Sequence, residues 1–246
     1  MSRVYLLPVT VFLLFQITFI CTYIAAILEG HVVPAVPYIS DAATYSPESC
    51  VFGQLINLGS VLLGLTIYVR YRQVLELFGY HPDLGEQLLK LNKISVWFGI
   101  ASCVGISFVA NFQETNVRIV HFFGAFCCFG FGTLYFWMQS LISYILQPIA
   151  GTKLKAHLRI AMSVACTVLF VLLAVTGVIS HILFKGTDPR KWYPSDGGWH
   201  YHVASSISEW IVATIFSFYI LSFTDEFRDV HLGHPQMTLL PYSITI

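Results

Sequence analysis

Charged residues are scarce in this sequence. Asp, Glu, Lys and Arg make up 11% of its 246 residues, whereas 56% of the residues are hydrophobic. An average soluble domain has about 25% charged residues. The 13 basic and 13 acidic residues cancel, so the chain lacks the basic excess that is typical of nucleic-acid binding. The composition indicates one membrane domain and excludes a nucleic-acid partner.

The short motifs of soluble enzymes are also absent. The sequence has no P-loop, no G-x-G-x-x-G, no G-x-S-x-G elbow and no H-E-x-x-H. The six cysteines lie within or beside apolar runs, which predicts no disulfide framework. We therefore expect no cofactor, no metal and no catalytic residues, and a non-enzymatic protein is favoured over an enzyme.

Long apolar runs dominate what is present. A helix needs about 20 apolar residues to cross a bilayer, and lipid leaves no alternative to a helix for such runs. The first run is interpreted as a retained helix and not as a cleaved signal peptide. The sequence predicts an all-α polytopic bundle at 1–224 and a short cytosolic tail at 225–246. The six predicted helices span about 5–28, 52–69, 94–110, 119–146, 160–183 and 203–223.

Lys and Arg predict the orientation of this bundle. If the N-terminus is inside, only four of the 13 basic residues lie in the outer segments, namely Arg118, Lys185, Arg190 and Lys191. Inner loops of membrane proteins carry the excess of basic residues. Both termini are therefore expected in the cytosol, and the segments 29–51, 111–118 and 184–202 in the lumen.

Small and polar residues recur at helical spacing in the middle of the chain. The third run has Gly99, Ser102 and Gly105, and the fourth has His121 and Ala125. Such faces usually allow membrane helices to pack closely. A packed seam is the favoured interpretation, and a polar cavity or lateral groove for a lipid headgroup is the alternative.

Glu209 is unusual because it lies nearly two turns into the last apolar run. A charged group at the centre of a membrane helix costs about 2.5–3.5 kcal/mol on the insertion scale. We therefore expect Glu209 to face the bundle and to accept a hydrogen bond from His121 or His181. A structural network is favoured over a proton or ligand site.

The lumenal half collects most of the other titratable groups. Its first loop has three prolines and no basic residue, and Ser46 is predicted to cap the second helix, with Pro47 at its first position. A capping role is also favoured for Glu48. Histidines here would charge below about pH 6.5, which permits a pH sensor. The candidate functional cluster is Asp41, Glu48, Glu114, His121, His181, His202 and Glu209.

Several of these residues fall in blocks that resemble the damage-regulated autophagy modulator (DRAM) family. The main block is the loop Pro37, Tyr38, Ile39, Ser40 and Asp41. The second is Val-Ala-Asn-Phe-Gln at 109–113, and others follow up to about residue 230. The chain departs from the family pattern at 42–43, where it has Ala-Ala in place of Thr-Gly.

The resemblance implies a cellular role more than a reaction. It implies a multi-pass protein of the lysosomal or endosomal membrane that promotes autophagy and has links to stress-induced apoptosis. Its partners would be membrane lipids and membrane or autophagy-related proteins. One alternative is a lipid-handling factor in GPI-anchor remodelling or phospholipid asymmetry. A second is a proton-coupled small-solute transporter, and the Golgi, ER and plasma membrane are alternative locations.

Overall fold

The computed structural model describes residues 3–233, and the regular elements in that range are all helical. Six helices are long and apolar enough to cross a membrane, as predicted. Residues 234–246 of the predicted tail lie outside the described part. The six helices are α1 (Leu6–Leu28), α2 (Glu48–Tyr80), α3 (Glu86–Asn111), α4 (Arg118–Ile145), α5 (Lys153–Leu183) and α6 (Trp199–Leu221).

The helices pack in chain order as a ring that α6 closes against α1. One end of the ring carries residues 3–5, the turns 81–85 and 146–152, and residues 222–233, and we call it the terminal face. The other end carries the segments 29–47, 112–117 and 184–198, and we call it the loop face. The main core between the two faces consists of buried aromatic and aliphatic side chains from these helices.

Helices α2 and α3 extend well beyond the predicted apolar runs, and α5 begins at Lys153, before its predicted start at about 160. Most of the segment 70–93, which lies between the second and third predicted helices, is helical, with a tight turn between Tyr80 and Glu86. The reason is a second small core at the terminal face, where Val74 and Leu88 pack with Ile142 and Leu146. Tertiary packing of an amphipathic face stabilises a helix where its hydropathy is low.

The seam between α3 and α4 depends on glycine. A Cβ at Gly105 would lie 2.5 Å from the backbone nitrogen of Cys128 and 2.6 Å from the carbonyl oxygen of Gly124. Within α4, Cys127–Phe131 forms a π-helical turn. Ser102 Oγ donates a 2.8 Å hydrogen bond to the Cys128 carbonyl there. The predicted small-residue seam is confirmed at this crossing, and π-turns of this kind are frequent at functional sites.

A polar cavity on the loop face

The segment 29–47 folds back onto the helix ends. The backbone N–H of Ile39 donates a 2.7 Å hydrogen bond to Glu209 Oε2, and Trp210 Nε1 donates a 2.9 Å bond to the Pro37 carbonyl. The prediction that His121 or His181 donates a hydrogen bond to Glu209 is therefore wrong. A backbone amide satisfies this carboxylate, and the family-motif loop is fixed to α6 as a result.

The predicted Ser46 cap is also wrong. Helix α2 begins at Glu48, and no side chain caps it. Backbone carbonyls of Tyr45 and Pro47 accept from the amides of Ser49, Cys50 and Val51, and the Ser46 hydroxyl instead lies 4.0 Å from Cys50 Sγ. Glu48 is buried, and its Oε1 lies 2.7 Å from His31 Nδ1. This contact ties the loop to α2, outside the cavity described next.

A cavity of about 520 Å³ lies between α4, α5 and α6 under the loop. Its volume falls within the range of about 300–1,000 Å³ that is usual for small-molecule sites. Tyr38 and Ser40 of the loop border it. The other polar residues that line it are Glu114, Arg118, His121, His181, Ser205 and Glu209. Its main apolar residues are Phe122, Phe126, Phe129, Phe170, Leu173 and Val178.

The cavity opens sideways between α4 and α5. Two of its lining residues, Val178 and Ile182, are 61% and 75% exposed on the outer surface of the bundle. Ring contacts cross the gap, with Phe126 and Phe170 centroids 6.2 Å apart. Because both helices are long enough to cross a membrane, this opening faces the position of lipid.

Glu114 is the carboxylate at the outer end of the cavity. The residue is 5% exposed, and its Oε1 lies 3.4 Å from His181 Nε2 and 3.7 Å from an Arg118 guanidinium nitrogen. Neither contact is a hydrogen bond, and Oε1 is a buried acceptor without one. An unsatisfied buried acceptor costs about 1–3 kcal/mol. Glu114 therefore has capacity for a donor that the chain itself does not supply.

Asp41 adds a second carboxyl group close to this region, in a short 3-10 turn at Asp41–Ala43. Burial, and then the charges of Glu114 and Glu209, raise the pKa of Asp41 well above its usual value. Burial also raises the pKa of Glu114, against the opposing effect of Arg118. The three carboxyl groups thus share a poorly solvated region, which a cation would stabilise.

The two histidines nearest the cavity differ from His202. His121 and His181 border the cavity, and His121 Nδ1 is fixed 2.7 Å from the Phe112 carbonyl. His202 is buried behind Tyr38, with ring centroids 5.0 Å apart, and it stacks on Trp192 at 4.3 Å. The predicted cluster thus divides. The cavity brings together Glu114, His121, His181 and Glu209, with Asp41 nearby, whereas Glu48 and His202 lie elsewhere.

Sequence reasoning missed Arg118 as part of this site. It counted Arg118 only as an outer basic residue, although the side chain borders the cavity beside Glu114. Helical spacing could not have signalled this pair, because Glu114 lies in the turn before α4, which begins at Arg118.

A buried ionic network on the terminal face was missed as well. Arg159 lies 2.9 Å from Glu226 Oε1 and donates to the Ser143 hydroxyl and the Ser222 carbonyl. Arg70 is 1% exposed and donates to Gln139. In the sequence, both arginines indicated only the orientation of the bundle. Their position beside apolar runs was the available sign of burial.

No group of three or more His, Cys, Asp or Glu side chains that could hold a metal ion occurs within residues 3–233. What the cavity offers is hydrogen bonding and charge at one end and an apolar wall at the other. That arrangement suits an amphiphile.

Comparison with known proteins gives a consistent family. The family model described as the Frag1/DRAM/Sfk1/Cwh43P N-terminal domain matches residues 3–230. The chain is 36% identical over 219 residues to DNA damage-regulated autophagy modulator protein 2 of Homo sapiens, covering 87% of this chain and 80% of that protein.

Two further relatives agree. Identity is 39% over 216 residues to DNA damage-regulated autophagy modulator protein 1 of Xenopus laevis, covering 87% of this chain and 86% of that protein. It is 34% over 213 residues to the modulator of macroautophagy TMEM150B of Xenopus tropicalis, covering 85% and 80%. No solved structure matches the chain.

Proposed function

The chain belongs to the Frag1/DRAM/Sfk1/Cwh43 family, and from that premise we propose that it promotes autophagy from the lysosomal or endosomal membrane by binding a membrane lipid in the loop-face cavity. Relatives named as autophagy modulators support the process. The distribution of Lys and Arg supports a lumenal loop face. We extend the proposal to stress-induced apoptosis, which the family resemblance also implies.

The observation that carries the lipid-binding part is the shape and lining of the cavity. It is open sideways at Val178 and Ile182, polar at Glu114 and apolar at Phe126 and Phe170. A water-soluble ligand would enter from the aqueous phase and would not need an opening between two membrane helices. A lipid of the lumenal leaflet could enter there without leaving the bilayer.

A matched pair of substitutions on α5 tests this role. Ala174 borders the cavity, and Ala174→Trp should fill part of it. Ala161 is exposed on the same helix and is absent from the cavity wall, so Ala161→Trp is the control. We expect Ala174→Trp to reduce both copurifying lipid and autophagic flux in cells that lack the endogenous protein, while Ala161→Trp preserves both. Normal flux in a variant that has lost its lipid would contradict the proposal.

The location has its own test. A tagged full-length chain should overlap with lysosomal or endosomal markers, and a tag on the loop 184–198 should be protected from protease added to intact organelles. Exclusive residence in the ER would overturn the lysosomal part. If protease added to intact organelles digests the loop tag, the lumenal assignment is overturned.

A lipid-handling factor is the second candidate, because a carboxylate and a histidine, Glu114 and His181, lie 3.4 Å apart in the same cavity. This candidate predicts that Glu209→Gln or His121→Ala abolishes conversion or redistribution of a lipid while the protein still folds. If both variants only unfold the protein, the candidate loses its support. No specific observation favours the transporter alternative; at the opposite end of the bundle the buried side chains of Arg159 and Glu226 are paired with each other.

A further inference from the structure

The lining of the cavity changes from charged residues, Glu114 and Arg118, at one end to an aromatic wall at the other. We propose that the ligand is phosphatidylethanolamine of the loop-face leaflet, with its primary ammonium on Glu114 and its phosphate on Arg118. The inference rests on the lipid binding proposed above and specifies the class of headgroup.

The ammonium position follows from Glu114. Its Oε1 is buried, borders the cavity and accepts no hydrogen bond. Asp41 and Glu209 place two further carboxyl groups nearby, and electrostatic repulsion disfavours ionisation of neighbouring carboxyl groups. A primary ammonium supplies both a positive charge and N–H donors, so it satisfies the acceptor and offsets the repulsion.

The phosphate position follows from Arg118. A second hollow of about 420 Å³ shares Glu114 and Arg118 with the cavity. Its other polar lining residues are Thr115, Thr187, Asp188 and Arg190. Arg190 is already held by Asp188, at 2.7 and 3.2 Å. The Arg118 side chain is 53% exposed, and its contact with Glu114 is a loose 3.7 Å. Arg118 is therefore the cation that is available to a phosphate.

The chain position follows from depth. Glu114 and Arg118 lie at the loop-face end of α4, whereas Phe126 and Phe129 lie two to three turns further into the helix. A lipid with its head at Glu114 and its chains along Phe126 and Phe170 has the polarity of its own leaflet. The sideways opening at Val178 lets the chains remain in the bilayer.

Other headgroups fit less well. Phosphatidylcholine carries a quaternary ammonium without an N–H donor, so Glu114 Oε1 would stay unsatisfied. Phosphatidic acid and phosphatidylserine have net negative charge and would be repelled by Asp41, Glu114 and Glu209. The structure thus favours a zwitterionic lipid with a primary amine.

The test is a headgroup series with the purified full-length chain in detergent micelles at mildly alkaline pH. A phosphatidylethanolamine labelled at the end of one chain is displaced by unlabelled lipids of identical chains, namely phosphatidylethanolamine, its mono- and dimethyl forms, phosphatidylcholine and phosphatidic acid. We expect phosphatidylethanolamine to bind about tenfold more tightly than phosphatidylcholine, which is the scale for one satisfied buried acceptor. Equal binding of phosphatidylcholine or phosphatidic acid by the unmodified chain would overturn the inference.

Two variants assign the contacts. Glu114→Gln should reduce the tenfold preference towards unity and leave phosphatidylcholine binding unchanged. Arg118→Gln should weaken both lipids by a similar factor, because both carry the phosphate. Glu86→Gln, an exposed acid at the start of α3, is the control and should change neither affinity. Retention of the full preference by Glu114→Gln would contradict the ammonium site.

The outcomes separate this inference from the proposed function. If the unmodified chain binds no phospholipid, both fail. If it binds all headgroups equally and Ala174→Trp still removes lipid, the cavity role stands and only the headgroup assignment fails. Should Glu114→Gln not fold, the headgroup series on the unmodified chain decides the question by itself.

Discussion

Glu226→Gln should destabilise this protein far more than the same kind of change at the adjacent acid, Asp225→Asn. Glu226 Oε1 lies 2.9 Å from Arg159, and the two side chains are 5% and 1% exposed. Asp225 Oδ2 lies 2.7 Å from Lys155 Nζ, but these side chains are 60% and 31% exposed. The two distances are similar, so burial is the variable that the comparison isolates.

The magnitudes differ because an isolated buried charge cannot be hydrated. Removing one partner of a buried ion pair costs about 3–5 kcal/mol, whereas an exposed pair contributes about 0–1 kcal/mol. A chain of this size loses about 2–4 °C in Tm for each kcal/mol. We therefore expect Glu226→Gln to lower the Tm by about 6–20 °C and Asp225→Asn by less than about 4 °C.

The assay is thermal unfolding in one detergent, followed by intrinsic tryptophan fluorescence and by the fraction that remains monodisperse. The double variant Arg159→Met, Glu226→Leu removes both charges and should be less destabilised than Glu226→Gln alone, because a hydrophobic replacement of a buried pair is often neutral. Equal shifts for Glu226→Gln and Asp225→Asn would refute the reasoning, as would a double variant that is worse than the single one.

Two further predictions concern packing and pH. Gly105→Ala should cost about 1–3 kcal/mol, because the new Cβ meets the backbone of Cys128; Gly64→Ala, with its nearest atom 3.9 Å away, is the control in the same melts. The raised pKa values of Asp41 and Glu114 make the native state bind protons more tightly than the unfolded state. Their effect is absent below about pH 4 and stability falls as the pH rises through the native pKa values. From pH 5 to pH 8 the Tm of the unmodified chain should therefore fall more, or rise less, than the Tm of Asp41→Asn, which lacks one of these carboxyl groups.

The six helices could be predicted because lipid is a simple solvent. It requires long apolar runs, and hydropathy detects them without any knowledge of tertiary contacts. The extensions of α2 and α3 could not be predicted in this way. They are stabilised by contacts such as Val74 with Ile142, residues that lie far apart in the chain and are brought together by the ring of helices.

The candidate site could likewise be predicted from the sequence only in part. The cost of a carboxylate in an apolar run identified Glu209 from the sequence alone. Its donor, the backbone amide of Ile39, lies 170 positions away, and a backbone amide carries no side-chain signature. The capping prediction for Ser46 failed for a related reason, because backbone carbonyls of Tyr45 and Pro47 accept from amides in the first turn of the helix. Partners supplied by the main chain depend on the course of the loop, which local patterns do not encode.

Burial of a carboxylate does not by itself identify a binding site in this bundle. Glu48, Glu114 and Glu226 each have a buried side-chain oxygen without a hydrogen bond. Glu48 is tied to His31 at 2.7 Å and Glu226 to Arg159 at 2.9 Å, so each has a close cationic or hydrogen-bonding partner for its other oxygen. Within residues 3–233, the ion pairs of Glu114 are looser, at 3.4 Å to His181 and 3.7 Å to Arg118, and Glu114 borders the cavity. A site for a ligand requires both an unsatisfied group and space beside it, and in Glu114 the two coincide.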